Sequence, residues 1–101
     1  MTLSRLAPVD EELTEASRYY NAINDSLGTR LFDEFVVAIG LIERFPNGWH
    51  PLGSDLRQCK LKSFPCAVIY ALMDADIVVV AFANTRQRPG FWRTRMKLVR
   101  P

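Results

Sequence analysis

Ala67-Val68-Ile69-Tyr70-Ala71-Leu72-Met73-Asp74-Ala75-Asp76-Ile77-Val78-Val79-Val80-Ala81-Phe82-Ala83 decides the fold. Two apolar runs rich in Val and Ile flank a three-residue polar break. Each run has the length of a strand, and neither alternates with polar residues, so both faces of each are expected to be buried. Asp74-Ala75-Asp76 reads as a tight turn. The pair is therefore a β-hairpin at the centre of a sheet.

Working toward the N-terminus, Arg57, Cys59 and Leu61 alternate with Gln58, Lys60 and Lys62, the pattern of a half-exposed strand. Residues 46–55 hold Pro46, Asn47, Gly48, Pro51, Gly53, Ser54 and Asp55, all turn formers, and read as a loop. Before it, Leu31, Phe35, Ala38, Ile39, Ile42 and Phe45 lie on one helical stripe that Pro46-Asn47-Gly48 stops. Leu13, Ala16, Tyr20, Ile23 and Leu27 form an earlier stripe. Asp10 is the expected N-cap, Glu11 and Glu12 favour the helix's positive end, and Gly28 punctuates the two stripes. So short a break predicts an antiparallel helical hairpin. Leu3 to Leu6 reads as an edge strand. Beyond the central hairpin, Pro89-Gly90 breaks the chain and Phe91 to Lys97 fits one or two closing helical turns.

Helices clustered ahead of meandering strands give an α+β fold: a helical hairpin on a three- to four-stranded antiparallel sheet, with a short C-terminal helical turn. The 101 residues suit a single domain over residues 1–101. Apolar residues make up 49% and charged residues 24%, which excludes a disordered chain. No apolar run nears the roughly 20 residues needed to span a bilayer, and Met1-Thr2-Leu3-Ser4-Arg5 has no signal-peptide pattern, so a cytoplasmic protein is expected. The two cysteines, Cys59 and Cys66, are too few for a disulfide framework or a zinc site. No metal or cofactor motif occurs.

Net charge is only +2 but is unevenly spread. Residues 1–45 carry eight acids and four arginines, whereas residues 46–101 carry three acids and nine bases. From Asn84 onward there are Arg86, Arg88, Arg93, Arg95, Lys97 and Arg100 and no acid. The asymmetry points to a basic face for an acidic partner.

The stretch Ala81 to Arg95 resembles the closing signature of ParE-type toxins: a small-apolar strand, a family-motif position held here by Asn84, basic residues, Pro89, Trp92 and Arg95. Upstream, Glu15-Ala16 with Tyr19-Tyr20, Ala38-Ile39 with Phe45-Pro46, and Leu61-Lys62-Ser63-Phe64-Pro65 through Ile69-Tyr70 match further pieces in order, over roughly residues 10–96. The resemblance to the ParE/RelE superfamily, which includes plasmid stabilisation proteins, implies a bacterial toxin silenced by a cognate antitoxin. ParE toxins poison DNA gyrase; RelE-like toxins cut messenger RNA on the ribosome.

The family signature often has His where this chain has Asn84, and asparagine exchanges no proton near neutral pH. RNA cleavage needs a base and an acid. The one histidine, His50, falls in the Trp49-His50-Pro51 loop, away in sequence from the basic tail, and the late aromatics Phe91 and Trp92 carry no hydroxyl. The resemblance thus favours a binding toxin aimed at gyrase and names no catalytic residue. The alternatives are a ribosome-dependent endoribonuclease, or an inactive homologue kept for antitoxin binding. Arg86, Arg88, Trp92, Arg93, Arg95, Lys60 and Lys62 are the candidate target-binding residues, Arg and Trp being the types that dominate interface energies. Trp92 is also placed to cap the core beside Phe82. Leu13, Tyr20, Leu31 and Phe35 are the candidate antitoxin contacts.

Overall fold

A computed structural model describes residues 2–53, 55–86 and 90–99. The elements run β1 (Thr2–Arg5), α1 (Pro8–Ile23), α2 (Leu27–Arg44), β2 (His50–Gly53), β3 (Leu56–Lys60), β4 (Cys66–Met73), β5 (Asp76–Asn84), a 3₁₀ turn (Phe91–Arg95) and α3 (Met96–Val99). The fold is α+β, as the patterning predicts, and the β4–β5 hairpin is central. Its turn is one residue tighter than expected, and Asp74 adopts φ 50° there.

The sheet differs from expectation in two ways. Among the described residues it has five strands, ordered β1-β5-β4-β3-β2. Residues 50–53, read as loop, pair with β3, His50 opposite Gln58 and Pro51 opposite Arg57. An edge strand tolerates Pro51 because the ladder asks it for no inward N–H, and Gly53 supplies the φ of 92° at the strand's end. The sheet is not wholly antiparallel either: β1 runs parallel to β5, Thr2 opposite Asp76 through Arg5 opposite Val79.

Both helices start earlier or later than the sequence suggests. Pro8 opens α1, the helical position where a missing N–H costs least. Asp10 therefore lies inside the first turn, not at the cap, and accepts a hydrogen bond from Arg5 Nε at 2.6 Å. The break between helices falls at residues 24–26, and Gly28 sits in the first turn of α2. Its role is close approach: its N–H donates to Asn21 Oδ1 at 2.8 Å, and a Cβ there would lie 2.5 Å from that amide.

Strand alternation sorts the core into two layers. Val9, Leu13, Leu31, Phe35, Ala38 and Ile42 pack on Cys59, Val68, Tyr70, Ile77, Val79 and Phe82. On the opposite face Leu56, Ala67, Ile69, Ala71, Val80, Ala81 and Ala83 are covered by Trp92, with Phe91, Met96 and Val99 around it. A β-bulge makes this sorting possible. Tyr70 pairs with Val79 but Ile69 with Ala81, leaving Val80 unopposed. The extra residue reverses the alternation, so Phe82 points at the helices and meets Phe35 edge-on at 5.7 Å. Burying such a ring contributes about 1.5–3 kcal/mol. Trp92 lies in the other layer, not beside Phe82 as expected from sequence.

Candidate interaction surfaces

The far face of the sheet gathers part of the expected basic site. Lys60 on β3 and Arg93 on the 3₁₀ turn line one cleft of about 310 Å³ with Gln58, Asn84 and Trp92. Arg93 is steadied by donating from Nη2 to Leu52 O at 3.0 Å. Strand pairing adds a residue the sequence placed apart: His50, opposite Gln58, lines an adjoining shallow cleft with Lys60. Its being in a strand, rather than a loop, is what brings it there.

The other expected target-binding residues go elsewhere. Lys62 is exposed in the turn after β3, a turn that Ser63 N–H pins to Glu34 Oε1 at 2.9 Å. Arg86 is exposed just past β5. Neither lines the far-face clefts. Arg88 lies outside the described residues. Trp92 is only 9% exposed and serves the core; its indole Nε1 is buried and finds no acceptor among the described residues. The Arg95 guanidinium is turned inward, forming a two-pronged pair with Glu12 (2.9 and 3.0 Å) and a bond to Val80 O at 3.0 Å.

Asn84 closes its own turn: its Oδ1 accepts from Arg86 N–H at 2.9 Å, an Asx turn that involves no proton exchange. Around it lie Cys66, which is buried, and Tyr20, which is half-buried. Burial pushes the Cys66 thiol up to about 11, and Glu34 adds to the rise. Burial also raises the Tyr20 phenol, with Cys66 and Tyr19 adding and Arg86 opposing. Cys66 is thus an inert core thiol. Among the described residues no His, Cys, Asp and Glu cluster could hold a metal ion, and no helix is long and apolar enough to cross a membrane.

Of the expected antitoxin contacts, Leu13, Leu31 and Phe35 are core residues at 7%, 0% and 9% exposure. Tyr20 alone is half-buried, packed edge-on against Phe64 at 4.9 Å and lining a cleft beside α1. The helical hairpin instead exposes Tyr19 and Ile23 on α1 and Phe32, Val36 and Val37 on α2. A single-stripe reading missed Tyr19, Phe32, Val36 and Val37 because they lie off the buried stripe, the signal being their excess over what one core face needs; Ile23, read as part of the stripe, is exposed at the last residue of α1. Val36 also borders an apolar groove with Leu3, Phe35, Ile39 and Val79 beside β1.

A helical hairpin across one face of a mostly antiparallel sheet, closed on the other face by a short C-terminal helical segment, defines the class of the fold as ParE-like. The particular likeness is to a solved chain described as the chromosomal ParDE toxin–antitoxin system from P. aeruginosa, with a TM-score of 0.72 over 83% of this chain and 95% of that one. Identity across it is 14%, so the two share a fold that their sequences barely record. No family model and no curated protein matches the chain.

Proposed function

We propose that this chain is the ParE-like toxin of a bacterial toxin–antitoxin pair, a one-domain cytoplasmic protein that acts by binding its target, DNA gyrase, and is silenced by a cognate antitoxin. The observation that carries the reading is the shared architecture with the ParDE chain. Two surface features support it. Lys60, Arg93 and Arg86 present cations outside the core, and Phe32, Val36 and Val37 give an apolar helix face suited to a partner that folds on binding. The antitoxin reading is tested by co-expression with the short neighbouring gene. A stable complex is expected; no co-purifying partner contradicts it. The gyrase reading is tested by a supercoiling assay, where uninhibited gyrase at micromolar toxin counts against it.

One observation favours a second reading, a ribosome-dependent endoribonuclease: His50 and Lys60 line the same cleft, a titratable base next to a cation. Cleavage of translated messages that His50→Ala abolishes would establish it in place of the gyrase reading. Antitoxin binding with neither activity would mark an inactive homologue.

A further inference from the structure

The register of β1 leaves part of the central sheet open. β1 covers β5 from Asp76 to Val79, and the last bond is Leu6 N–H to Val79 O at 2.9 Å. Past that point two side chains stand in for a strand. Glu12 Oε1 accepts from Phe82 N–H at 3.1 Å, and Arg95 Nη1 donates to Val80 O at 3.0 Å. Beyond this bridge a cleft of about 310 Å³ opens between α1 and the β5 edge, lined by Glu12, Glu15, Tyr19, Tyr20, Phe82 and Phe91.

The bridge shows what this wall accepts. The Arg95 guanidinium lies between the Glu12 carboxylate and the Phe91 ring, 5.2 Å from its centroid. Glu15 sits one helical turn after Glu12 on the same face. It is exposed, has no ion-pair partner among the described residues, and adjoins the Tyr19 and Tyr20 rings. We propose that the cleft receives an extended segment of a partner protein, which passes along the β5 edge at Phe82 and sets an arginine side chain between Glu15 and the tyrosine rings. The guest would repeat, one turn on, the arrangement Arg95 makes within the chain.

Each part of the guest follows from the wall. An open strand edge beside a groove recruits extended backbone. A planar guanidinium both forks onto a carboxylate and stacks on a ring, which an ammonium does less well. With Glu12 already paired to Arg95, the Glu15 carboxylate lines the cleft and repels phosphate, so nucleic acid is the wrong occupant. Arg86 follows Asn84, which lines the cleft at the end of β5, so the guest's positive charge is better placed by Glu15. The inference stands apart from the toxin reading, since it names only the chemistry of the segment.

The test uses the full chain, labelled with nitrogen-15, and the capped peptide acetyl-Thr-Val-Arg-Val-Thr-amide. Norleucine and glutamate versions replace the central arginine. The arginine peptide is expected to shift the amides of Phe82, Ala83 and Glu15 to Tyr20, and to bind about tenfold more tightly than the norleucine peptide. Glu15→Gln, an exposed isosteric change, should erase that tenfold advantage while leaving the melting temperature and the norleucine affinity unchanged. Equal binding of all three peptides, shifts confined to another surface, no binding at millimolar peptide, or an unchanged advantage in Glu15→Gln would each overturn the proposal. Tyr19→Leu, also at an exposed position, gives the same reading if the first variant fails to fold.

Discussion

The two faces of the sheet are both apolar, yet they are covered by different means. On one face two long amphipathic helices supply an interlocked layer from Val9 to Ile42. On the other a short segment, residues 90–99, places Trp92 over a floor made largely of alanines, Ala67, Ala71, Ala81 and Ala83. Small floor residues leave room for one large ring, and the remainder of that face stays open as clefts holding Lys60, Arg93 and His50. The difference teaches where this fold keeps its stability and where it keeps its chemistry. The helix-covered layer is closed at its centre and opens at its margin, in the cleft between α1 and the β5 edge; the sparsely covered one has cations around its margin.

The largest expected effect tests the stability side. Leu31, on the buried face of α2, is fully buried, so Leu31→Ala should cost about 2–5 kcal/mol by urea titration. A loss well under 1 kcal/mol would mean that the helix layer is loosely packed and the contrast false.

Next comes the bridge that couples the layers, since Glu12 belongs to the helix cover and Arg95 to the far cover. At about one-fifth exposure the pair lies between surface and core. Glu12→Ala should cost about 1–3 kcal/mol, because it strands the guanidinium and the Phe82 N–H. Combined with Arg95→Ala it should be non-additive by about 1 kcal/mol or more. Strict additivity would show two independent covers.

A third, smaller contrast compares one polar atom from each layer. Tyr70 Oη donates to Pro46 O at 2.7 Å, whereas Trp92 Nε1 is unpartnered among the described residues. Tyr70→Phe should cost about 1–2 kcal/mol by leaving the carbonyl short of a donor, and Trp92→Phe should lose packing but no hydrogen bond. The signature is a pH profile. Burial pushes Tyr70 up to about 12 from 10.0, Arg57 opposing, and Cys66 up to about 11 from 9.0. The unfolded chain releases these protons first, so the folded state binds more protons between pH 9 and 12, and stability there falls as pH rises. Below the unfolded values the contribution is fully present. Urea midpoints that stay flat through that window would contradict the burial of both groups, and Tyr70→Phe should remove the upper part of the slope.

The helices, the central hairpin and the α+β class were legible because each rests on apolar periodicity along contiguous residues. Three features were not. β2 hid behind Pro51 and Gly53, whose turn preferences outweigh strand propensity unless a partner strand is known. The direction of β1 depends on which edge it joins, a tertiary choice four residues cannot encode. Arg95 read as a free cation because Glu12 lies 83 positions away. For the candidate site, Lys60 and Arg93 were readable as basic residues, but the meeting of Lys60 with His50 depended on β2. Tyr20 was read on the hairpin's stripe and is half-buried there, and the same stripe accounts for the burial of Leu13, Leu31 and Phe35, but it carried no information on Phe32 and Val36, which stay outside.

The unopposed Val80 has a consequence for how this chain can vary in length. Removing that one residue would take out the bulge and let β5 run in regular alternation, with Val79 still opposite Tyr70, Ala81 still opposite Ile69 and Phe82 still on the helix side. The carbonyl that Arg95 meets would go with it. The bulge is thus a place where β5 can shorten without turning Phe82 away from Phe35, and deletion of Val80 should be accepted at the cost of the Arg95 contact.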